Sequence, residues 1–221
     1  MGREEAVIAK SIMIRPDSAE TRQLAARIIS EGGLIAFRTD TFYGLGVDPL
    51  NPDAVRRIKV LKGREEGKPI LLLVADPSVV TRLASGVPSL FERITAELWP
   101  GPLTIIVPAI DSLPHDITAG TGTVGLRLPN DESVRQLVRE CGGVLTATSA
   151  NPATKEPAKS AADVHGYFPT GLDLIIDGGE VNVTEPSTVL DIVRTPPRLI
   201  REGAVSRTAI ERVIGSLSDM L

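Results

Sequence analysis

Apolar positions follow two different spacings along this chain, and their alternation predicts alternating helices and strands. Between residues 19 and 30, the apolar side chains Leu24, Ile28 and Ile29 fall on one face of a helix. The next apolar run, 34–37, is short and uninterrupted, so it predicts a buried strand. Polar residues that favour helix N-termini precede the helical segments; they are Asp17 or Ser18, Asn51, Ser160 and Ser206.

The same two spacings continue through the rest of the sequence. Helices are predicted over 52–62, 77–84, 88–98 and 131–140, and directly after Ser160 and Ser206. Strands are predicted over 70–74, 103–107, 124–128, 144–147, 172–176, 188–193 and 198–200. We therefore predict an α/β fold in which one domain spans 1–221 and holds a single twisted, mixed sheet flanked by helices. The long connection over 108–123, rich in Gly, Pro and Thr, suggests a functional loop.

Composition narrows the class of protein. A chain of 221 residues with 42% hydrophobic and 24% charged residues can bury a sizeable core, which argues against a disordered protein. The longest apolar run, 70–75, is far shorter than a membrane span, and the segment after Met1 lacks the pattern of a secretory signal. Cys141 is the only cysteine, which excludes an intrachain disulfide and a cysteine-built zinc site. The expected location is the cytoplasm, without membrane association.

The charges are unevenly distributed, and this changes what the net charge of −4 implies. The segment 56–68 contains six basic and two acidic residues, a local charge of +4, which leaves −8 for the remainder. Aromatic residues make up 3% of the chain, too few for a surface that stacks many bases. One basic segment in an acidic chain favours an enzyme for a small anionic substrate over a general nucleic-acid-binding protein.

Several segments resemble known motifs but lack a neighbouring element or residue that those motifs require. The G-x-G-x-x-G match at 120–125 leads into a strand pattern, whereas a dinucleotide site requires a helix there. The segment 63–69 lacks the Ser or Thr with which a P-loop binds Mg²⁺. His115 and His165 have no second ligand at metal spacing, and Cys141 is predicted to be a small buried side chain. We therefore predict no metal site and no cysteine nucleophile.

Four polar segments next to predicted strands are candidates for chemistry. They are 38–46, the cations within 62–69, 146–152, and 185–188 together with Arg201. Hydroxyl and amide side chains at the carboxyl end of a strand can bind a ligand, and cations at a helix end can hold a polyphosphate. Each segment taken alone also fits an ordinary turn or a solvated surface.

Taken in order, these segments resemble the YrdC-like family of threonylcarbamoyl-AMP synthases from about residue 19 to residue 205. The matching stretches are 33–46, Lys62-Gly-Arg64 with Lys68-Pro69, Trp99-Pro-Gly-Pro-Leu-Thr104, 124–129, Ser149-Ala-Asn151, 186–189 and 200–203. The resemblance implies a YrdC-like fold with a concave basic cavity and a domain core over 19–205. The resemblance also leads us to expect the short form of the family, without an extra C-terminal domain.

The resemblance also implies an activity. Members condense L-threonine, bicarbonate or CO₂, and ATP into threonylcarbamoyl-AMP and pyrophosphate. The product would pass to a tRNA threonylcarbamoyltransferase complex for tRNA modification, so direct tRNA binding by this chain is expected to be weak or absent. Mg²⁺ would be held mainly by the ATP phosphates.

Site residues carry over from the family by motif. Lys62, Arg64, Ser149 and Asn151 match the catalytic positions that hold the ATP phosphates. Further matches on the nucleotide side are Lys68, Thr123 and Arg201, and those on the threonine side are Thr39, Thr41, Tyr43, Arg127 and Ser187. The implied chemistry brings a carbamate anion to the α-phosphorus of ATP, so cations must offset the repulsion and stabilise the leaving pyrophosphate. No nucleophilic side chain is required.

The sequence departs from the family pattern at two places. Glu65-Glu66 follows Arg64 where Pro is common, and Pro152 follows Asn151 where many members continue with Ser-Gly. Two other hypotheses remain: a YrdC-like paralogue with another acceptor, and a non-catalytic RNA-binding module.

Overall fold

The structure is a computed structural model that describes residues 12–63 and 67–218, so Arg64 and the Glu65-Glu66 pair lie outside the described residues. The strands are β1 Met13–Pro16, β2 Ile35–Phe37, β3 Gly44–Gly46, β4 Leu72–Val74, β5 Leu103–Pro108, β6 Thr123–Arg127, β7 Val144–Thr146, β8 Thr148–Ser149, β9 Leu174–Asp177, β10 Thr188–Asp191 and β11 Arg198–Arg201. The helices are α1 Ala19–Ser30, α2 Pro52–Lys62, α3 Leu90–Leu98, α4 His115–Thr118, α5 Glu132–Glu140, α6 Ala161–Tyr167 and α7 Arg207–Ile214, and a 3₁₀ helix covers Pro77–Arg82.

Side chains singled out in the sequence cap the helices. Ser18 caps α1 and Asn51 caps α2, each by accepting backbone N–H groups of the first turn. Gly63 ends α2 in the left-handed conformation with φ 56°, which glycine adopts without a Cβ clash. Ser160 and Asp163 form a reciprocal capping box at the start of α6. Local sequence thus sets where these helices begin and where α2 ends.

The strands form two mixed sheets where the sequence predicted one. The five-stranded sheet has the order β1-β9-β2-β3-β8, with parallel pairs on the β1 side and antiparallel pairs on the β8 side. The six-stranded sheet has the order β11-β10-β5-β6-β4-β7 and alternates antiparallel with parallel pairs. Each sheet joins strands that are distant in sequence, so the period of apolar residues did not indicate how the strands divide between them.

Three short strands escaped the sequence prediction. β1 and β8 form the two opposite edges of the five-stranded sheet, and β3 lies next to β8. β3 has the sequence Gly-Leu-Gly within the candidate segment 38–46, where no strand was predicted, and its backbone pairs with β2 on one side and β8 on the other. Close packing explains Gly46, because a Cβ added there would lie 2.7 Å from Phe37 Cε1.

Alternation along the strands divides the buried apolar residues between two clusters. In β2, Ala36 belongs to the main core, which also contains Leu103, Ile105 and Leu126 of the six-stranded sheet. Ile35 and Phe37 point to the opposite side and pack with buried residues of α1 and α5 in a second cluster. The main core therefore joins both sheets into one α/β unit.

Within residues 12–63 and 67–218, no helix is both long enough and apolar enough to cross a membrane. The long connection over 108–123 contains the short helix α4, and the glycine-rich segment within it runs into β6 rather than into a helix. This placement confirms that the G-x-G-x-x-G match is not a dinucleotide fingerprint.

Candidate functional site

A cavity of about 510 Å³ opens between the two sheets. Its walls come from the turn after β2, the end of α2, strands β5 and β6, the segment that follows β7, and the β10–β11 pair. Every predicted site residue within the described part of the chain lines it: Thr39, Thr41, Tyr43, Lys62, Lys68, Thr123, Arg127, Ser149, Asn151, Ser187 and Arg201. Four of these side chains are cationic, and the described lining residues include no Asp or Glu.

The turn after β2 places two hydroxyl groups in the cavity. Thr39 Oγ1 donates to the Phe42 carbonyl oxygen at 2.7 Å and accepts the backbone N–H of Thr41 at 3.1 Å. Thr41 Oγ1 lies 3.1 Å from Thr39 Oγ1. Since Thr39 uses its own proton on Phe42, Thr41 is the donor between the two hydroxyls. The turn is thereby fixed in one conformation.

Arg127 lies at the end of β6 and is almost fully buried, with 2% of its surface exposed. Its Nη1 donates to Thr41 Oγ1 at 3.1 Å, and its Nε donates to the Gly101 carbonyl oxygen at 3.3 Å. Its Nη2 lies 2.5 Å from Asp40 Oδ1. These contacts hold the guanidinium plane in one orientation at the cavity wall.

Ser187 and Arg201 form the neighbouring part of the wall. Arg201 Nε and Nη2 donate to the Ser187 carbonyl oxygen at 3.0 and 2.7 Å, and Nη2 also lies 3.2 Å from Ser187 Oγ. Ser187 Oγ in turn lies 3.2 Å from Thr104 Oγ1. Burial, together with the nearby Arg127 charge, lowers the pKa of Arg201. The positive charges of Arg127 and Arg201 therefore repel each other at the cavity wall, and a bound anion would offset that repulsion.

The opposite wall joins the end of α2 to the segment after β7. Lys62 is buried although it is charged, and its Nζ donates to the Ser149 carbonyl oxygen and to Asn151 Oδ1, the latter at 3.4 Å. Asn151 Nδ2 donates to the carbonyl oxygens of Pro152 and Lys155, so its amide orientation is set. The contact with Ser149 spans 87 positions in sequence and places three of the four predicted catalytic residues side by side.

Lys68 and Thr123 complete the described nucleotide-side residues. Lys68 is exposed and lines the cavity beside Pro69. Thr123 begins β6, and its Oγ1 lies 2.8 Å from Thr121 Oγ1. Arg64, the fourth predicted catalytic residue, lies outside the described residues.

Tyr43 lines the cavity, but its hydroxyl group is hydrogen-bonded to backbone groups that do not line it. The hydroxyl donates to the Gly179 carbonyl oxygen at 2.8 Å and accepts the Gly178 backbone N–H at 3.1 Å. Burial is the main reason why the pKa of Tyr43 is raised to about 12, and the Asp177 charge adds to it. Tyr43 therefore presents its ring, not a reactive phenol, to the cavity.

The basic segment 56–68 is not a continuous wall of the cavity. Arg56 pairs with Asp53 at 2.7 Å, Arg57 with Asp173 at 2.8 Å, and Lys59 with Asp116 at 2.5 Å. These three cations do not line the cavity, whereas Lys62 and Lys68 of the same segment do. The reason is helical geometry, because successive residues of α2 point in different directions.

Two residues that were not predicted as site residues also line the cavity. Thr104 and Gly125 line the cavity from neighbouring strands, and Thr104 lies in the stretch 99–104 that matched the family. A Cβ at Gly125 would lie 3.1 Å from Thr104 Cγ2.

Burial raises the pKa of the Cys141 thiol to about 12, so the thiol stays protonated and is a poor nucleophile. Among the described residues, no group of three His, Cys, Asp or Glu side chains is placed to hold a metal ion.

Comparison with known proteins gives the family. The family model Sua5/YciO/YrdC, described as "Telomere recombination", matches residues 27–203. The threonylcarbamoyl-AMP synthase of Pyrococcus abyssi is 38% identical over 195 residues, which are 88% of this chain and 57% of that protein. The enzyme of the same name from Halorhodospira halophila is 34% identical over 167 residues, which are 76% of this chain and 87% of that protein.

A solved structure supports the same assignment. The P. abyssi Sua5 protein in complex with L-threonine superposes with a TM-score of 0.88 at 35% identity, covering 95% of this chain and 62% of that one. The chain thus spans little more than half of the length of its Pyrococcus relative. The matched family region includes every candidate site residue. On the evidence of this match, the chain belongs to the Sua5/YciO/YrdC family.

Proposed function

We propose that the chain is a threonylcarbamoyl-AMP synthase, which condenses L-threonine, bicarbonate or CO₂, and ATP into threonylcarbamoyl-AMP and pyrophosphate. One observation carries the proposal: a single cavity gathers the residues matched to the nucleotide side and those matched to the threonine side. The names of the relatives and the threonine complex of the Pyrococcus protein support it. We propose further that the cavity is positively charged, as its four lining cations suggest.

Lys62, Arg64, Ser149 and Asn151 are proposed to hold the ATP phosphates. Lys62 already bridges the Ser149 and Asn151 segment, so its charge is fixed at one point of the cavity. A fixed cation stabilises the pyrophosphate as negative charge develops on it, without a cost of reorganisation during the reaction. Lys68, Thr123 and Arg201 are assigned to the rest of the nucleotide.

Thr39, Thr41, Tyr43, Arg127 and Ser187 are proposed to bind threonine. Arg127 suits the carboxylate, because its charged guanidinium lines the cavity and its Nη1 retains a second N–H beyond the contact with Thr41. Thr41 offers a hydroxyl group next to Arg127, Ser187 offers another in the same cavity, and the Tyr43 ring supplies an apolar surface.

The proposed reaction balances without a side-chain nucleophile. The threonine amine adds to CO₂ and loses a proton, which gives a carbamate. A carbamate oxygen then forms a bond to the α-phosphorus, while the bond from that phosphorus to the bridging oxygen breaks and pyrophosphate leaves. The task of the protein is to bring two anions together in line, which positioning and positive charge accomplish.

Mg²⁺ belongs to the proposal as an ion carried by ATP. The cavity offers hydroxyl and amide oxygens but no carboxylate among its described lining residues, so the phosphates are the fitting ligands. When bound there, Mg²⁺ would neutralise part of the phosphate charge. Lys62 and Arg64 would balance the remainder.

The wider setting follows from the proposed product. We propose that the product is handed to a tRNA threonylcarbamoyltransferase complex in the cytoplasm, and that this chain has little direct affinity for tRNA. We also propose that the family region forms one YrdC-like domain with a core over 19–205. A paralogue that uses another acceptor would share this cavity, so the amino-acid requirement is the deciding property.

The decisive experiment measures pyrophosphate release from ATP and Mg²⁺ with bicarbonate and single amino acids. We expect release only when both threonine and bicarbonate are present, and the product should co-elute with threonylcarbamoyl-AMP. Omission of bicarbonate with full removal of CO₂ is the matched control. ATP turnover that is indifferent to threonine would refute the synthase and favour a paralogue.

A further inference from the structure

Polar contacts join the turn after β2 to the end of β6, across the boundary between the two sheets. Asp40 Oδ1 lies 2.5 Å from Arg127 Nη2, and Asp40 Oδ2 accepts the backbone N–H of Asn130 at 3.1 Å. A second link lies nearby, where Arg38 Nη2 contacts Asp131 Oδ2 at 2.5 Å. The turn is therefore attached to the segment 127–131 at three points.

Successive side chains of the turn point alternately into the cavity and toward the segment that follows β6. Thr39 and Thr41 line the cavity, whereas Arg38 and Asp40 make the links to the segment that follows β6. The residues with cavity hydroxyls are thus interleaved with the residues that anchor the turn. Any movement of the anchors would shift the hydroxyls by a similar amount.

Asp40 is the charged partner of a deeply buried cation. The Arg127 side chain is 3% exposed and that of Asp40 is 14% exposed. Arg127 also donates to the Thr41 hydroxyl and the Gly101 carbonyl oxygen, and both of these acceptors are neutral. A desolvated guanidinium needs a counter-charge to keep one position, and Asp40 supplies it from a different sheet.

We propose that Asp40 is a positioning residue for amino-acid binding. It holds the Arg127 guanidinium, and with it the Thr41 hydroxyl, in the orientation that receives the substrate carboxylate. Asp40 does not line the cavity, so it acts through Arg127 and not on the substrate itself. This inference rests on the proposed function, in which Arg127 faces the threonine carboxylate.

Asp40→Asn tests the proposal, because asparagine keeps the shape and one acceptor oxygen but removes the charge. We expect the KM for threonine to rise about ten- to a hundredfold, while kcat and the KM for ATP change less than about twofold. Asp40→Glu retains the charge on a longer stem and should restore part of the threonine affinity. Asp53→Asn is the matched control, since it breaks an exposed ion pair with Arg56 outside the cavity and should leave every constant unchanged.

Calorimetric titration with L-threonine separates this inference from the proposed function. If the wild-type protein binds threonine but releases no pyrophosphate, the synthase assignment fails while the role of Asp40 is still measured by binding. A threonine affinity of Asp40→Asn equal to that of the wild type overturns the inference, and so does an equal rise in the KM values for threonine and ATP. If Asp40→Asn does not fold, Asp40→Ser, which also removes the charge, replaces it, and a wild-type threonine affinity of Asp40→Ser overturns the inference. If the wild type neither binds threonine nor turns over, both proposals fall.

Discussion

Lys62 brings a positive charge into the cavity with only 6% of its surface exposed. Lys62→Met keeps most of the apolar stem but removes the charge, so we expect it to lower catalytic activity more than the stability of the fold. We expect pyrophosphate release to drop by at least about a hundredfold, the loss typical of removing one preorganised electrostatic contact. A coupled pyrophosphate assay at saturating substrate measures it.

Arg56→Met is the control for this loss of charge. Arg56 lies on the same helix but pairs with Asp53 at the surface, so near-normal release is expected. Thermal unfolding of both variants checks that the fold is retained. Normal release by Lys62→Met would remove Lys62 from the site.

The negative charge of Asp131, the N-cap residue of α5, contributes to the stability of the fold. Burial raises the pKa of Asp131, but hydrogen bonds from Ser133 and Val134 and the Arg38 charge outweigh it, so the pKa of this carboxyl lies below its ordinary value. Its ionised form therefore stabilises the fold above the ordinary value, about pH 4, and this stability is lost as pH falls through the lowered value.

Asp131→Asn isolates that contribution, because asparagine still caps a helix but carries no charge. We expect the variant to unfold with about 1–2 kcal/mol less free energy than the wild type at pH 7. The difference should shrink as both proteins are acidified through the lowered pKa of Asp131, because the carboxyl is then protonated. Urea unfolding over a series of falling pH values measures it, and a difference that stays constant over the whole series would contradict this role of the charge.

At the scale of elements, the segment that follows β11 holds the start of β10 in place. Thr188 Oγ1 donates to the Val205 carbonyl oxygen at 2.6 Å and accepts the backbone N–H groups of Gly203 and Val205, each at 3.0 Å. Gly203 approaches so closely that a Cβ there would lie 2.2 Å from the Pro186 carbonyl oxygen. The position of Ser187 and Arg201 therefore depends on this contact.

Gly203→Ala should consequently displace the segment 186–188. We expect a destabilisation of about 1–3 kcal/mol, as is usual for overpacking, together with a loss of pyrophosphate release. Gly166→Ala is the matched control, because it lies in α6, where an added Cβ meets nothing within 4 Å. Thermal unfolding and activity are measured together. Unchanged activity in Gly203→Ala would show that the contact does not position the cavity wall.

Elements also differ in how well the sequence predicts them. The bounds of α1 and α2 follow from local caps and apolar spacing, and the structure confirms them. β3 and β8 are only three and two residues long, and they pair with each other although they lie far apart in sequence. No side-chain pattern of that length can reveal a strand, since its stability comes from the partner.

At the scale of the whole molecule, charge distribution decides which partners are accessible. The chain carries −4 overall, and three cations of its basic segment are paired with carboxylates outside the cavity. We expect tRNA to bind no more tightly than about 10⁻⁴ M at physiological salt, the weak limit of non-specific binding. Fluorescence anisotropy with labelled tRNA at two salt concentrations measures the affinity. Submicromolar binding with a steep salt dependence would instead support the RNA-binding hypothesis.

The sequence by itself determined the α/β class, the capped helices and the set of residues that carry the family resemblance. Those features depend on neighbours in the chain, which the order of residues specifies directly. Only the tertiary structure decided that Lys62 faces the cavity while Lys59 pairs with Asp116, and that the Tyr43 hydroxyl faces Gly179. The tertiary structure likewise decided the pairing of Asp40 with Arg127. These outcomes depend on contacts between residues tens of positions apart, and the packing of two sheets, not local sequence, creates such contacts.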